Sequence, residues 1–452
     1  MFISQLIQEE DSETLASVLS RYSGYEIADL LVDRSIEEQV FVFSALKAPL
    51  AAEAFDYLSL KNQKLLLEKL PCTVTAAMLE AMHPDDRTSL LKDLPLAAVN
   101  EYLKLLSQEE RSLTLTLLGY PEDRVGHIMT TDYIAIRPEW TVETVLHHIR
   151  AYGHDSETIN ELYVVDESNK LLDDIKIRDF LFVPIKSTVS QLANFKYICL
   201  QANDKAEDAI NVFKEHDRTA LPVVNDAGIL VGIVTIDDIL RYASEVGTED
   251  MQRVGGMEAL DEPYMETPFM ELMKKRARWL VILFIGETFT ATAMGFFEAE
   301  IAKAVVLALF IPLIISSGGN AGSQSTTLII RAMALGEVKL KDWWRVMKRE
   351  VCSGVFLGAI LGFIGFLRVA LWAGVTTLYG EHWFLIGLTI FFSLMGIVLW
   401  GSLSGSMLPL ILRRFGVDPA AASAPLVATL VDVTGITIYF GIAMTVLQGT
   451  LL

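Results

Sequence analysis

From Trp279 onward the chain carries apolar runs that each reach the roughly 20 residues needed to cross a bilayer. Five spans are predicted, over about 279–299, 302–328, 352–378, 383–409 and 422–448. Upstream the pattern is different. Over 1–123, apolar positions recur at helical spacing in short blocks such as "LAAEAFDYLSLKNQKLLLEKLP" and "TAAMLEAMHPDDRTSLLKDLP". Each block pairs two apolar helices around a Ser or Pro-Asp start signal, which predicts a small helical-repeat domain. Over 124–240 a second repeat is clearer. "ELYVVDESNKLLDDIKIRDFL" (161–181) aligns without gaps to "ALPVVNDAGILVGIVTIDDIL" (220–240) at an offset of 59. Each copy reads strand, turn, strand, helix, with a further helix before it. The final helix continues amphipathically through "RYASEVGTEDMQRVGGM" (241–257), suited to lying on a membrane face or plugging a pore mouth. The predicted organisation is an all-α N domain (1–123), an α/β pair (124–182 and 183–240), a connecting helix (241–270) and an all-α membrane domain of five helices (271–452).

Charge sharpens this division. The formal net charge of −20 excludes a nucleic-acid binder, which needs a basic face. Residues 271–452 hold 14 basic and 10 acidic residues, so the first 270 residues carry a net of −24. Nearly all the basic residues of the membrane half sit in alternate segments: "KKRAR" before the first span, "RAMALGEVKLKDWWRVMKRE" between the second and third, and "RRFGVDPA" between the fourth and fifth. The positive-inside rule then predicts a cytoplasmic N-terminus and a C-terminus on the other side. No basic, apolar leader opens the chain, so no signal peptide is expected. Cys72, Cys199 and Cys352 are scattered, which predicts neither a disulfide framework nor a thiolate metal site.

Candidate chemistry lies inside the membrane. "APLVATLVDVTGITIYFG" (424–441) is apolar or small throughout except for Asp432. A carboxylate at that depth costs at least ~2.5 kcal/mol, so it calls for a function. The second span adds "SSGGNAGSQSTT" (316–327), whose polar groups must face protein or water. Gly318, Gly319 and Gly322 permit close helix approach. Asn320 and Gln324 are four apart on one helix face and offer neutral amide oxygens. Pro312, one to two turns earlier, is expected to free the carbonyl at 308. One carboxylate, neutral oxygens, no intramembrane His and a single Cys at the very start of the third span suit a hard cation. Mg²⁺ keeps several waters and binds through one or two carboxylates, and two chains meeting at an axis would double the single Asp; Ca²⁺ wants more carboxylates and Zn²⁺ wants His or Cys. Two other roles stay open: Asp432 as a structural hydrogen-bonder between helices, and Glu287 either paired with Arg368 or serving a proton relay. The spans show no catalytic constellation, so no enzyme is expected.

The 59-residue repeat resembles a pair of CBS (cystathionine β-synthase) domains. That resemblance implies a regulatory module able to bind adenine nucleotides through a Gly-h-h-Thr-x-x-Asp phrase. The second copy has it as Gly232, Thr235 and Asp238; the first has Asp173 and Lys176 in place of Gly and Thr, and keeps Asp179. At most one good nucleotide site, for example for ATP, is therefore expected; otherwise Asp238 only caps its helix.

Across nearly its full length the chain resembles the MgtE magnesium transporter family. The resemblance rests on "YPEDRVGHIMT" (120–130), "RTALPVV" (218–224), "TEDMQRVGG" (248–256), "IPLIISSGGNAGSQSTTLIIRA" (311–332), "GVDPAAASAP" (416–425) and "LVATLVDVTGITIYF" (426–440). It implies a homodimeric Mg²⁺ channel in the bacterial cytoplasmic membrane, with its pore at the dimer axis. Asp432, the carbonyl of Ala428 and Asn320 are then expected to meet the ion, with Gly319, Gln324 and Pro312 lining the path. It also implies that cytosolic Mg²⁺ bridges acids and holds the pore shut; by motif position these acids are Asp217, Asp238, Glu249 and Asp250. Arg241 and Val246 stand where the family often has acids, and Asp85-Asp86 falls in a matching "PDD" phrase of unassigned role. The alternative is a transporter or coupled exchanger for another divalent ion, such as Co²⁺ or Mn²⁺, with nucleotide-modulated CBS domains.

Overall fold

The structure is a computed structural model that describes residues 2–9, 11–154, 156–265, 267–376 and 379–451. It divides into two compact units, Met1–Ser244 and Glu245–Leu452.

Among the described residues the first unit opens with ten short helices, from Phe2–Gln8 to Gln108–Leu118. Capping fixes several starts: Ser23 with Glu26 and Ser35 with Glu38 form reciprocal capping boxes, and the Ser107 side chain accepts from the Glu110 backbone N–H. The helices stack two apart. Ser12–Leu19 packs on Ile36–Ala45, which packs on Leu60–Lys69; Gly24–Leu31 packs on Ala48–Asp56, which packs on Cys72–Ala81. Their apolar stripes form one continuous core running from Leu6 to Leu106. Beyond it, Pro84–Lys92 lies on Gln108–Leu118. Arg87 locks that pair and is fully buried. Its Nε donates to Thr114 Oγ1 at 2.9 Å, its Nη1 to the Leu79 carbonyl at 3.1 Å, and it pairs with Glu110.

The repeat seen in the sequence folds as two three-stranded sheets. Ala135–Ile136 runs parallel to Glu161–Val165, which pairs antiparallel with Leu171–Lys176; Leu200–Gln201, Ala220–Val224 and Leu230–Thr235 repeat the arrangement. The register carries the same offset: Glu161 faces Lys176 and Ala220 faces Thr235, with a bulge at Val164/Val165 and again at Val223/Val224. The turns match as well. Asn169 and Gly228 both take a positive φ, the conformation glycine adopts freely and asparagine tolerates. Across the pair the hydrogen bonds are reciprocal: Leu171 N–H donates to Gly228 O at 3.1 Å and Leu230 N–H to Asn169 O at 2.9 Å. The two copies are thus related by a local two-fold and bury Tyr163, Val165, Ala220, Val224 and Ile233 between them.

The helix Ile236–Val254 continues from the second copy. In the second unit, five of the described helices are long and apolar enough to cross a membrane: Phe269–Phe296, Val305–Ala334, Leu340–Ala373, Trp383–Arg414 and Ala424–Leu447, here spans 1 to 5. The third begins earlier than its apolar run because "WWRVMKRE" continues the same helix; backbone hydrogen bonding does not stop where hydrophobicity does. Spans 2 and 4 meet backbone to backbone. A methyl group on Gly401 would stand 2.4 Å from the Gly318 carbonyl, and one on Gly405 2.2 Å from that of Gly322. Small residues at both seams let the helices close to this distance. Thr326 Oγ1 then donates to the Gly405 carbonyl at 2.9 Å.

Candidate functional site

Asp432 stands in the middle of span 5, half-buried, one turn after Ala428. Gly319 of span 2 lies against both: a methyl group there would sit 3.5 Å from Ala428 Cβ and 3.7 Å from Asp432 Oδ1. Glu287 of span 1 is near enough for its charge to act on Asp432. Among the described residues, none donates a hydrogen bond to Asp432 and no cation pairs with it, so the structure supplies no interhelical hydrogen bond for the structural role left open above. Glu287 and Arg368 form no ion pair with each other; Arg368 instead stands over the Trp372 ring at 5.8 Å. Asn320 and Gln324 both face outward from the chain, on the side of span 2 that also exposes Ser316. An exposed polar stripe in a membrane span needs protein or water against it. Pro312 lies in the first turn of the helix Ile311–Ala334, after a separate turn at Val305–Ala308, so its missing N–H interrupts no helical ladder. In that break the Tyr439 hydroxyl donates to the Leu307 carbonyl at 2.8 Å.

Span 5 is fixed at its start. Ser423 caps it, Trp279 Nε1 donates to Ser423 Oγ at 3.2 Å, and Asp418, just before, pairs with Arg253 at 2.6 Å. Arg253 also holds Glu249 at 3.0 Å. Gly256 packs against Trp279 and Pro425.

In the first unit, carboxylates converge from three helices. Asp56 ends Ala48–Asp56, Asp85 and Asp86 open Pro84–Lys92, and Asp238 lies in the first turn of Ile236–Val254. Asp85, Asp86 and Asp238 each bring a carboxylate oxygen within 4.8 Å of the others. Arg241 lies among them, 2.5 Å from Asp238, 3.0 Å from Asp86 and 3.1 Å from Asp56. Its charge is held more firmly than usual: burial works against it, but Asp56, Asp86, Asp238 and Asp85 together outweigh that. Burial, then repulsion from Asp238 and Asp86, pushes the Asp85 carboxyl up. Burial and Asp56 push Asp86 up to about 7, although Arg241 pulls the other way. Asp85 is 8% exposed and its Oδ1 has no hydrogen-bond partner. Beside it, His83 Nδ1 lies 2.8 Å from Glu157 and 3.4 Å from Asp132, whose hydrogen bonds push the imidazole up to about 11.

Of the acids carried over by motif, Asp238 therefore joins this cluster. Asp217 is exposed, Glu249 is paired with Arg253, and Asp250 follows on the same helix; the described residues show no metal-like group around these three. Asp56, Asp85 and Asp86 take their place beside Asp238. The Pro-Asp-Asp phrase was the available signal for two of them; nothing in spacing pointed to Asp56. The nucleotide phrase folds on itself, with Thr235 Oγ1 donating to Asp238 Oδ2 at 2.5 Å.

Five helices long and apolar enough to cross a membrane, with a carboxylate at Asp432 that no described residue partners, joined to a helical module and a CBS pair that gather three carboxylates, define a multi-pass ion-transport protein. The chain belongs to the MgtE family: the family's divalent cation transporter domain matches residues 311–442, its intracellular N domain 22–123, and CBS domains 125–186 and 189–245. The magnesium transporter MgtE of Thermus thermophilus is 36% identical over 451 residues, 99% of this chain and 98% of that one. A crystal structure of the soluble part of a magnesium transporter superposes with a TM-score of 0.53 at 26% identity, covering 54% of this chain and 96% of its own. One of the cytosolic domain of the Mg²⁺ channel MgtE in complex with ATP gives 0.51 at 31% identity, covering 53% and 98%. The family is one of transporters, not enzymes.

Proposed function

We propose that this chain passes Mg²⁺ passively across the bacterial cytoplasmic membrane, as a homodimer whose pathway follows the axis between two copies of span 5. The observation that carries this is the unpartnered Asp432, set beside Gly319 and one turn from Ala428. In this reading the Asp432 carboxylate and the Ala428 carbonyl receive a hydrated ion, and Asn320 and Gln324 on their exposed stripe line the approach. Gly319 keeps the wall thin, and Pro312 starts the helix that carries them. A single carboxylate per copy suits an ion that keeps most of its water. The basic segments before span 1 and between spans 2–3 and 4–5 support a cytoplasmic N-terminus, with the helical domain and the CBS pair on the same side. The domain limits follow the sequence division at 123, 240 and 270.

The same reading makes the soluble unit a sensor. Asp85, Asp86 and Asp238 offer three carboxylates and one buried oxygen without a partner, a donor set that fits a hard divalent cation. Mg²⁺ bound there, with Glu249 and Asp250 adding to the acidic face of the connecting helix and Asp217 to the CBS pair, favours a compact form in which the pore is closed. This is a population shift driven by differential affinity. The same reading lets the cytosolic unit bind ATP, as the ATP complex of a relative's cytosolic domain supports, and the phrase holding Thr235 and Asp238 in the second CBS copy is its candidate site.

Rescue of a magnesium-starved strain tests the pathway. The wild-type chain is expected to restore growth and Asp432→Ala to fail at equal membrane expression; rescue by Asp432→Ala would overturn the assignment. Glu287 beside Asp432 gives one ground for a coupled exchanger of another divalent ion. Currents that depend on a proton gradient and vanish in Glu287→Gln would favour that reading over the channel.

A further inference from the structure

Arg241 is the sole basic side chain that forms ion pairs with the Asp56–Asp86–Asp238 group among the described residues, and it ties together acids that lie 185 and 155 positions away in the chain. Two of these acids belong to the helical domain, while Asp238 and the arginine belong to the helix that closes the CBS pair. We infer that Arg241 is a built-in counter-cation that clamps the helical domain onto the CBS pair, so that this contact survives the removal of divalent cations. The inference goes beyond the sensor reading, and it holds whether or not the pore closes in Mg²⁺.

The physical reason is the difference between a tethered and an exchangeable cation. A free ion occupies a site according to its concentration, and when the ion is diluted the carboxylates repel. A guanidinium fixed three residues from Asp238 stays at the same effective concentration whatever the medium holds. Its flat fork offers several donors, so one side chain serves Asp56, Asp86 and Asp238 and its rotamer freedom is lost once for three contacts. Lysine, with one donor centre, does not match that geometry. His83 adds a second cation at the same junction with the polarity reversed: it comes from the helical domain and meets Glu157 and Asp132 of the CBS pair. Asp85, whose Oδ1 has no hydrogen-bond partner among the described residues, is what remains for an added ion. Divalent control of this junction is therefore partial: Mg²⁺ tightens a contact that already exists instead of creating it.

The test uses the full chain in lipid nanodiscs, with spin labels on Cys72 and on Glu143→Cys, and with Cys199→Ser and Cys352→Ser to silence the other thiols. Distances are read in EDTA and in millimolar Mg²⁺. With Arg241 present, the distance distribution is expected to be short in both, and only narrower in Mg²⁺. With Arg241→Ala, EDTA is expected to give a second, longer population that Mg²⁺ returns to the short one, and this recovery also shows that the variant is folded. Asp56→Asn, which removes one partner and leaves the arginine, is expected to give a smaller long-distance population in EDTA. Opening of the Arg241 protein in EDTA to the same extent as Arg241→Ala would overturn the clamp. So would an Arg241→Ala protein as closed in EDTA as its parent, since other contacts would then hold the junction. A long distance for Arg241→Ala that Mg²⁺ fails to shorten would assign Arg241 to folding and would likewise reject the inference. Growth rescue by Asp432 variants is read separately, so failure of the clamp and failure of the channel reading are distinguishable.

Discussion

The acids of the soluble unit and the acid of the membrane are treated in opposite ways. Around Asp238 the chain provides its own cations: Arg241 bridges three carboxylates and His83 answers two more. Around Asp432, in surroundings where a counter-charge would relieve far more, the described residues provide none. The nearby ionisable group is Glu287, of like sign. A buried acid that serves structure is neutralised by its neighbours, because leaving it alone costs several kcal/mol. One kept bare is consistent with a site whose partner comes and goes. The contrast separates a clamp from a conduit without appeal to any motif.

Exchanging the two treatments has the largest expected effect. Ala428→Lys puts a tethered ammonium one turn from Asp432, as Arg241 stands one turn from Asp238. It is expected to lower Mg²⁺ flux by more than ~100-fold, since a fixed charge within about 4 Å is worth several kcal/mol against an entering cation. Flux into proteoliposomes measures this, and unchanged flux would mean that position 428 is off the path. Next is Arg87, which holds the helix bearing Asp85 and Asp86 in place. Arg87→Ala leaves Glu110, Thr114 and the Leu79 carbonyl without their buried partner. The helical domain should lose about 3 kcal/mol by urea unfolding. Loss of under ~1 kcal/mol would show that the acids are positioned by something else.

At Gly319 the effect is smaller and graded. A methyl group there makes ordinary contacts at 3.5 and 3.7 Å, so Gly319→Ala should fold and lose flux by only a few-fold, whereas Gly319→Val should lose about tenfold by crowding Asp432. Equal flux in both would place the ion on another face of span 5.

The smallest effect is a pH dependence of the soluble unit in EDTA. The folded-state pKa values of Asp85, Asp86 and Asp238 are raised, so these groups bind protons more readily folded than unfolded. Their contribution is fully present below the unfolded value near 3.8 and is lost as pH climbs, for Asp86 through about 7. The melting temperature should thus fall across that window, more steeply in Arg241→Ala, and Mg²⁺ should flatten the fall. A melting temperature that rose across the same window would contradict the cluster's electrostatics.

Much of the architecture was legible because it is written in local periodicity. The offset of 59 between the CBS copies reappears in the strand registers, in both bulges and in the positive-φ pair Asn169 and Gly228. The five spans follow from apolar length, although the third helix runs on into charged sequence that hydropathy excludes. Asn320 and Gln324 share the exposed face that their four-residue spacing implied. What was not legible depends on contacts between distant segments. Arg241 read as a departure from an acidic pattern; only the fold shows it reaching Asp56 and Asp86. Asp56 carried no signal at all, since an acid at the end of an amphipathic helix is ordinary. The break before Pro312 was hidden for a related reason: whether a proline breaks a helix or begins one depends on where the preceding turn ends, and the turn at Val305–Ala308 lies within one continuous apolar run.

The central claim is that Asp432 is left without a partner because a hydrated Mg²⁺ ion meets it in passing. The direct measurement is Mg²⁺ flux into proteoliposomes holding the purified chain, compared with Asp432→Asn, which keeps the shape and removes the charge. Flux in the Asp432→Asn protein should fall to the level of empty vesicles while Glu287→Gln retains it. Asp432→Asn flux equal to that of the unaltered chain would contradict the account.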